Sequence, residues 1–360
     1  MGLAKLQLPD DCEFIGHSIG VENGVRGELV FTTAMVGYSE ALTDPSYCSQ
    51  ILVFSYPMMG NYGVPSLARN GILSVGFESA KIQVAGVVFD SLSLHFSHFD
   101  ATRSLGAWLI EQKIPTIVGV DTRELIRKLR VEKRIIGSMV FNNQVDFSSR
   151  NSSDFHLSNL LPKVSIKEPK IYGAGRRRIG VIDCGVKHSL IRILLEHDIE
   201  VLQCPWNADF LNIDCDGWVI SNGPGDPSKT EGLPKAVMAL MNNQNRPILG
   251  ICLGHQIMAL ASGLTTRSMK FGHRSHNQPV KDLATGKGYI TSQNHGYEVC
   301  LDSLGNDWCL SFQNLNDGSV EGIRHRFLPF EGVQFHPEAA GGPRDTRWIL
   351  DRFVERVCKT

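Results

Sequence analysis

The sequence has 360 residues, of which 42% are hydrophobic and 20% charged, and its formal net charge is -1. This length exceeds what one hydrophobic core usually holds, so we expect about two globular domains. The near-zero net charge argues against nucleic acid or a membrane surface as the binding partner, because both attract strongly basic proteins.

Cysteine usage and the lack of targeting signals bear on the compartment. The nine cysteines form no C-x-x-C pair and are scattered through apolar segments. This is typical of reduced thiols rather than of a disulfide framework or a zinc site. The first ten residues lack the layout of a signal peptide, and no apolar run is long enough to span a bilayer. We therefore expect a cytoplasmic protein.

Residues 1–141 are predicted to form a β-rich α+β domain. Runs of β-branched and aromatic residues predict strands at 28–33, 50–54 and 84–89. Apolar periodicity predicts helices at 102–112 and 122–131, the second of them capped by Asp121. The polar stretch 37–47, which contains Ser46, is interpreted from its residues alone as a turn and a helix cap.

A change of composition separates this domain from the rest of the chain. Residues 142–178 are rich in Asn, Ser, Lys and Pro, and we predict an interdomain linker there. Strands are then predicted at 179–183, 200–203, 217–221 and 247–251, with helices at 187–197 and 232–241. Such alternation over residues 179–360 predicts a doubly wound, mostly parallel α/β sheet that binds ligands at the carboxyl ends of its strands.

Cys252 follows the last of these strands and is flanked by Gly250 and Gly254. The pattern predicts a nucleophile elbow, which places a side chain at the N-terminus of the next helix. The helix dipole there favours a thiolate, and the N–H of Leu253 would face a developing oxyanion. The pattern alone is also compatible with a buried structural cysteine packed between two glycines.

The loop Asn222-Gly223-Pro224-Gly225-Asp226-Pro227 follows the strand at 217–221. Its prolines remove N–H donors, which argues against a phosphate-binding loop. A simple turn is one interpretation of this loop. The other is a second oxyanion donor, the N–H of Gly225, beside the Cys252 elbow.

His336-Pro337-Glu338 follows a short run with strand-like alternation. A cysteine nucleophile needs a base, usually histidine, and that histidine needs an orienting carboxylate. His336 and Glu338 can supply both, with Pro337 stiffening the turn between them. The competing histidines, none with a carboxylate two residues away, are His255, His273, His276 and His295.

These motifs resemble those of known families. Gly250 to Gln256 together with His336-Pro337-Glu338 is similar to the triad of class I glutamine amidotransferases. Further stretches resemble the glutamine-hydrolysing small chains of carbamoyl-phosphate synthetases, so that the similarity covers nearly the whole sequence. These stretches are residues 37–47, 56–61, 119–123, 183–187, 271–273, 293–297 and 336–343.

The resemblance implies a catalytic triad and a glutamine pocket, with no metal. The implied triad is Cys252, His336 and Glu338. The implied pocket consists of Ser46, Gly223, Gly225, Leu253, Gln256, Asn294, Gly296 and Tyr297. The sequence departs from the family beside these motifs, at Thr32, Val36, Cys184, Ser275 and His276.

The implied activity is hydrolysis of glutamine through a γ-glutamyl thioester on Cys252. Ammonia would pass through a tunnel to a separate large chain that forms a heterodimer with this chain. The large chain would make carbamoyl phosphate for arginine or pyrimidine synthesis, or for both. No cofactor is expected in this chain; ATP, Mg²⁺ and bicarbonate are expected on the large chain. The alternative is a class I amidotransferase subunit of a different synthase.

Overall fold

The computed structural model describes residues 2–66, 73–131, 134–142, 158–243 and 245–359. The chain divides into two compact units, Met1–Ser158 and Asn159–Thr360. Each unit has its own buried apolar core. Within the described ranges, none of the helices has the length and apolar character that crossing a membrane requires.

The first unit is a closed β-barrel with short helices between its strands. Its strands are β1 (Leu3–Gln7), β2 (Glu13–Ser18), β3 (Val25–Thr32), β4 (Gln50–Phe54), β5 (Val64–Pro65), β6 (Gly86–Val88), β7 (Ala101–Arg103), β8 (Thr116–Val118) and β9 (Ile136–Phe141). Its α-helices are α1 (Tyr38–Thr43), α2 (Leu105–Glu111) and α3 (Thr122–Leu129). The barrel runs in the order β1-β2-β8-β6-β4-β3-β9 and closes by pairing of β9 with β1.

The β-rich character predicted for this part of the chain is confirmed. Strand β4 has the predicted bounds, and α3 begins where predicted, after Asp121 accepts a hydrogen bond from the Glu124 N–H at 2.9 Å. The helix predicted at 102–112 begins later than expected. Its first residues pair as β7 with β5, and Ser104 caps α2 by accepting from the Ala107 N–H.

The second unit is an α/β sheet covered by helices. Its strands are β10 (Lys170–Tyr172), β11 (Arg177–Asp183), β12 (Ile199–Pro205), β13 (Gly217–Ile220), β14 (Ile248–Ile251), β15 (Thr266–Asp282), β16 (Gly288–Val299), β17 (Trp308–Asn314), β18 (Val320–His325) and β19 (Phe330–Val333). Its α-helices are α4 (Leu161–Val164), α5 (His188–Leu195), α6 (Leu233–Asn242), α7 (Leu253–Ala261) and α8 (Trp348–Lys359). The strand order is β10-β12-β11-β13-β14-β19-β18-β17-β15-β16.

The parallel core of this sheet is the part that positions the site. Strands β12, β11, β13, β14 and β19 are parallel neighbours. Strand β14 is entirely buried, as expected for a strand covered on both faces. Since parallel strands end at one edge, the segments that follow β13, β14 and β19 meet there. The strands and helices predicted between residues 179 and 251 form within two residues of their predicted bounds.

Two features of this unit differ from the sequence prediction. The predicted linker 142–178 is structured in its described second part: Leu161 is buried, and β10 pairs with β12. Strand β10 is largely exposed at the edge of the sheet, and residues 143–157 lie outside the described residues. In addition, the parallel core continues from β19 into an antiparallel extension, β18-β17-β15-β16, which the residue pattern had not indicated.

Candidate active site

Cys252 stands on a sharp turn between β14 and α7. Its backbone has φ 53° and ψ -106°, a conformation that costs a non-glycine residue on the order of 1–3 kcal/mol. The turn is held because the Cys252 N–H donates to the Val333 carbonyl at 2.8 Å, while the Cys252 carbonyl accepts from the Gln256 N–H. The geometry is that of a nucleophile elbow, as the sequence predicted.

The two flanking glycines are required by close approach of the backbone. A Cβ on Gly254 would lie 2.0 Å from the Ile220 carbonyl oxygen, and one on Gly250 would lie 2.7 Å from the Gly254 carbonyl oxygen. Both neighbours are backbone atoms and cannot rotate away. The glycines therefore let α7 pack directly against β13 and β14.

Gly254→Ala should destabilise the second unit by about 3 kcal/mol or more, because the added methyl group forces α7 away from β13. Urea unfolding of the wild type and the variant measures this difference. Gly305→Ala is the matched control, since a Cβ there meets no atom within 4 Å. Equal unfolding free energies for Gly254→Ala and Gly305→Ala would contradict the packing described here.

His336 and Glu338 form a buried pair just beyond β19. The His336 Nδ1 lies 2.6 Å from Glu338 Oε1, and both side chains are almost wholly inaccessible to solvent. The His336 N–H donates to the Ser292 carbonyl at 3.0 Å, which fixes the backbone of the turn. His336 Nε2 is buried and makes no formed hydrogen bond with the described residues. Such catalytic hydrogen bonds often tighten only when substrate binds.

The charges around His336 favour its protonated form. Burial and the Lys187 ammonium oppose the charge, but the Glu338 carboxylate and the Cys252 thiol outweigh them and raise the pKa of His336 well above its ordinary value. Burial likewise opposes the charge of Glu338, yet His336 and Lys187 lower the pKa of that carboxyl group. A protonated His336 can donate a proton to a leaving group.

One wall of the site is the β16 segment 292–297. The Cys252 Sγ donates a long hydrogen bond, 3.7 Å, to the Asn294 carbonyl, and the Gln256 Nε2 donates to the Tyr297 carbonyl at 2.9 Å. Asn294 Nδ2 is buried and has no partner among the described residues. Because buried donors are rarely left unpaired, this amide is suited to bind a polar ligand.

The other residues of the predicted glutamine pocket occupy four places. Leu253 opens α7, and Gly223 is buried in the loop after β13. Gly225, in the same loop, is exposed with φ +93°. Gly296 is half-buried in β16. Ser46 belongs to the first unit, where its N–H donates to Asp44 Oδ1 in the 3-10 helix Pro45–Tyr47.

The competing histidines have other surroundings. His255 is completely buried, which lowers its pKa to about 3, so it remains neutral. Burial and the Lys187 charge lower the pKa of His276 to about 4. His273 and His295 belong to a buried network with Gln293 and Glu321, which is held by hydrogen bonds among these side chains.

Sequence reasoning missed Lys187 as a member of the site. Its Nζ lies 3.8 Å from Glu338 Oε1, and its side chain is largely buried. The sequence placed it at the start of a predicted helix. The available signal was its position in Asp183-Cys184-Gly185-Val186-Lys187, directly after β11, at the edge where the parallel strands end.

Both units match described families. Residues 180–356 match "Glutamine amidotransferase class-I", and residues 6–139 match "Carbamoyl-phosphate synthase small chain, CPSase domain". The chain is 41% identical to the carbamoyl phosphate synthase arginine-specific small chain of Schizosaccharomyces pombe, covering 99% of this chain and 88% of that protein. It is 42% identical to the protein of the same description from Aspergillus clavatus, covering 99% and 80%.

Longer proteins are similar as well. The chain is 45% identical to the multifunctional protein ura1 of Schizosaccharomyces pombe over 99% of its own length. It spans 17% to 21% of the length of ura1 and three other fungal multifunctional proteins.

Proposed function

This chain belongs to the carbamoyl-phosphate synthase small-chain family, and from that premise we propose that it hydrolyses glutamine to supply ammonia for carbamoyl phosphate synthesis. The observation that carries the proposal is the elbow thiol of Cys252 beside the buried His336–Glu338 pair. The family match over residues 6–139 favours this role over service to a different synthase. Three relatives are named arginine-specific, which supports arginine synthesis as a use of the product, beside pyrimidine synthesis.

The first half of the reaction forms a thioester. His336, oriented by Glu338, takes the Cys252 proton, and the thiolate attacks the side-chain amide carbon of glutamine. Negative charge develops on the amide oxygen, and the N–H groups of Leu253 and Gly225 are the proposed donors to it. One such donor typically contributes about 10²-fold or more in rate.

The second half releases both products. The His336 imidazolium protonates the leaving nitrogen as its bond to carbon breaks, which yields ammonia and a γ-glutamyl thioester on Cys252. Neutral His336 then takes a proton from water, and the hydroxide attacks the thioester carbonyl. Glutamate leaves as the bond between Cys252 sulfur and the acyl carbon breaks. The proton that His336 took from water is then shared again with the Cys252 thiolate.

The substrate itself would lie against the β16 segment 292–297. Its amino-acid end needs both donors and acceptors. Asn294, Gly296 and Tyr297 supply amide and backbone groups there, and the Asn294 backbone carbonyl lies beside the thiol. The Gln256 amide nitrogen is engaged by Tyr297 and Gln334, so we assign it to holding this wall together.

The rest of the synthesis is proposed to take place on a separate large chain. That chain would bind ATP, Mg²⁺ and bicarbonate and would receive ammonia through a tunnel, in a cytoplasmic heterodimer. Ammonia released into water at neutral pH would be protonated and lost as a nucleophile. The small chain would therefore need its partner for the whole reaction.

Purified chain incubated with glutamine, with and without a carbamoyl-phosphate synthase large chain, tests the proposal. We expect glutamate release in both cases, faster with the large chain, and carbamoyl phosphate only when the large chain, ATP and bicarbonate are present. Absence of glutamate under every condition would refute the enzymatic role. Glutamate release without complex formation would refute the partner.

A further inference from the structure

The β16 segment 292–297 contacts the catalytic groups through its backbone. The Ser292 carbonyl accepts from the His336 N–H, and the Asn294 carbonyl accepts from the Cys252 thiol. The Tyr297 carbonyl accepts from Gln256 Nε2. A shift of this segment would move contacts to the base, the nucleophile and α7 together.

The backbone pairing of this segment is interrupted. Strands β15 and β16 are in regular register at His273↔His295, Arg274↔Asn294 and Ser275↔Gln293, and a register shift lies on each side of these pairs. A short stretch of ladder between two irregularities constrains the strand less than a continuous one. Contacts of the segment's side chains can therefore add to the support that its backbone contacts give.

Gln293 connects the segment to a buried polar network. Its Oε1 lies 2.8 Å from His273 Nδ1 and 3.0 Å from His295 Nε2, while its Nε2 donates to Glu321 Oε2 at 2.9 Å. At the far side of His273, the ring Nε2 lies 3.0 Å from Asp317 Oδ2. A continuous path of hydrogen-bonding contacts thus runs from Asp317 to the backbone of Gln293.

The charges facing His273 come from three elements. Burial opposes its charge, but Asp317, in the turn before β18, and Glu321, in β18, raise the pKa of His273 to about 9. A charged imidazole donates at both nitrogens, to Asp317 and toward Gln293 and Glu321. His295, across from it in β16, stays neutral, because burial, the His273 charge and nearby Arg274 and His336 lower its pKa.

We propose that Asp317 and His273 are a positioning pair for glutamine binding, holding the β16 segment 292–297 against Cys252 through Gln293. This rests on the proposed glutamine hydrolysis. The pair acts through Gln293 and the strand rather than on the substrate itself. It provides the lateral support that the interrupted ladder lacks.

Asp317→Asn in the full chain tests the pair, with KM for glutamine and kcat of glutamate release followed over pH. His273 is charged below its pKa, so the wild-type KM should stay constant and rise only as the pH passes about 9. Without the Asp317 charge, the pKa of His273 falls and the rise begins earlier. Near pH 8 we expect about a tenfold higher KM with kcat nearly unchanged, and close to wild-type KM near pH 6.

Three comparisons make the result decisive. Asp317→Glu should restore the wild-type KM profile. Asp351→Asn should leave that profile unchanged; it removes the carboxylate from another His–Asp pair, in which His197 Nε2 lies 2.9 Å from Asp351 Oδ1. An unfolding midpoint measured for each variant separates altered binding from altered folding. If the wild type releases glutamate but Asp317→Asn keeps the wild-type KM profile, or loses kcat alone, the positioning role is wrong and the proposed function stands. A wild type without glutamate release would instead overturn both.

Discussion

Cys252→Ser should abolish glutamate release from glutamine. We expect a loss of at least about 10⁴-fold, because removing a triad nucleophile leaves only the catalysis due to binding and oxyanion stabilisation. A serine hydroxyl is a far weaker nucleophile than a thiolate. We expect His336 to deprotonate the serine too poorly to replace the thiolate. The substitution changes one buried atom on an elbow held by backbone hydrogen bonds, so the fold should persist. The initial rate of glutamate formation measures the effect.

The control is Cys300→Ser, which alters a half-buried free cysteine at the end of β16. Its rate should match that of the wild type. Mass spectrometry of quenched wild-type chain should detect the added γ-glutamyl group on the peptide that contains Cys252. A serine variant that keeps more than about one hundredth of the wild-type rate would contradict nucleophilic catalysis by this residue.

His336→Asn should lower kcat by about 10³- to 10⁴-fold, because asparagine can neither accept the thiol proton nor protonate the leaving ammonia. Glutamine should still bind, since its pocket is formed by other residues, so KM should change little. Steady-state kinetics with saturating glutamine separate the two parameters. His325→Asn, at the end of β18, is the matched control and should retain full activity.

The pH dependence of the wild type should reflect the same pair. Because the pKa of His336 is raised in the folded protein, its charged form and the stability of its pairing with Glu338 are fully present below the ordinary histidine pKa. Both are lost as the pH rises through the raised pKa. We therefore expect glutamate release to persist into the alkaline range and then to decline.

Glu338→Gln should move that decline to lower pH and reduce kcat by roughly 10²- to 10⁴-fold, because it removes the carboxylate that raises the pKa of His336 and orients the ring. Glu298→Gln is a suitable control: Glu298 is also buried and paired, with Arg267 at 2.8 Å, in the same unit. A Glu338→Gln profile that declines at the wild-type pH would show that the carboxylate does not set the charge of His336.

The local features of the site could be predicted from the sequence because they depend on neighbouring residues. Gly250 and Gly254 exclude side chains that would strike backbone oxygens, which gives the elbow a recognisable spacing. His336 and Glu338 are two residues apart with a proline between them, so their pairing is largely set by one turn. The alternation of apolar strands and helices likewise indicated the parallel core that carries Cys252.

Other features of the fold and of the site could not be predicted from neighbouring residues. The antiparallel extension was not indicated by the residue pattern, because β15 and β16 are polar and their pairing shifts register twice. The resemblance implied Asn294, Gly296 and Tyr297 as pocket residues, but not the strand that carries them. The helix predicted to begin at residue 102 begins after Ser104, since a cap outweighs apolar periodicity. The predicted linker contains β10, which an edge position leaves exposed.

The sequence by itself predicted Cys252, His336 and Glu338 as nucleophile, base and orienting carboxylate, because each is marked by chemistry and spacing within a few residues. The tertiary structure alone decided which atoms surround them: Lys187, which precedes α5, lies near Glu338, and the backbone carbonyl of Asn294 in β16 accepts from the Cys252 thiol. Those contacts depend on which strands become neighbours in the sheet. Apolar periodicity records that a strand is buried, but it carries no information about which strand lies beside it.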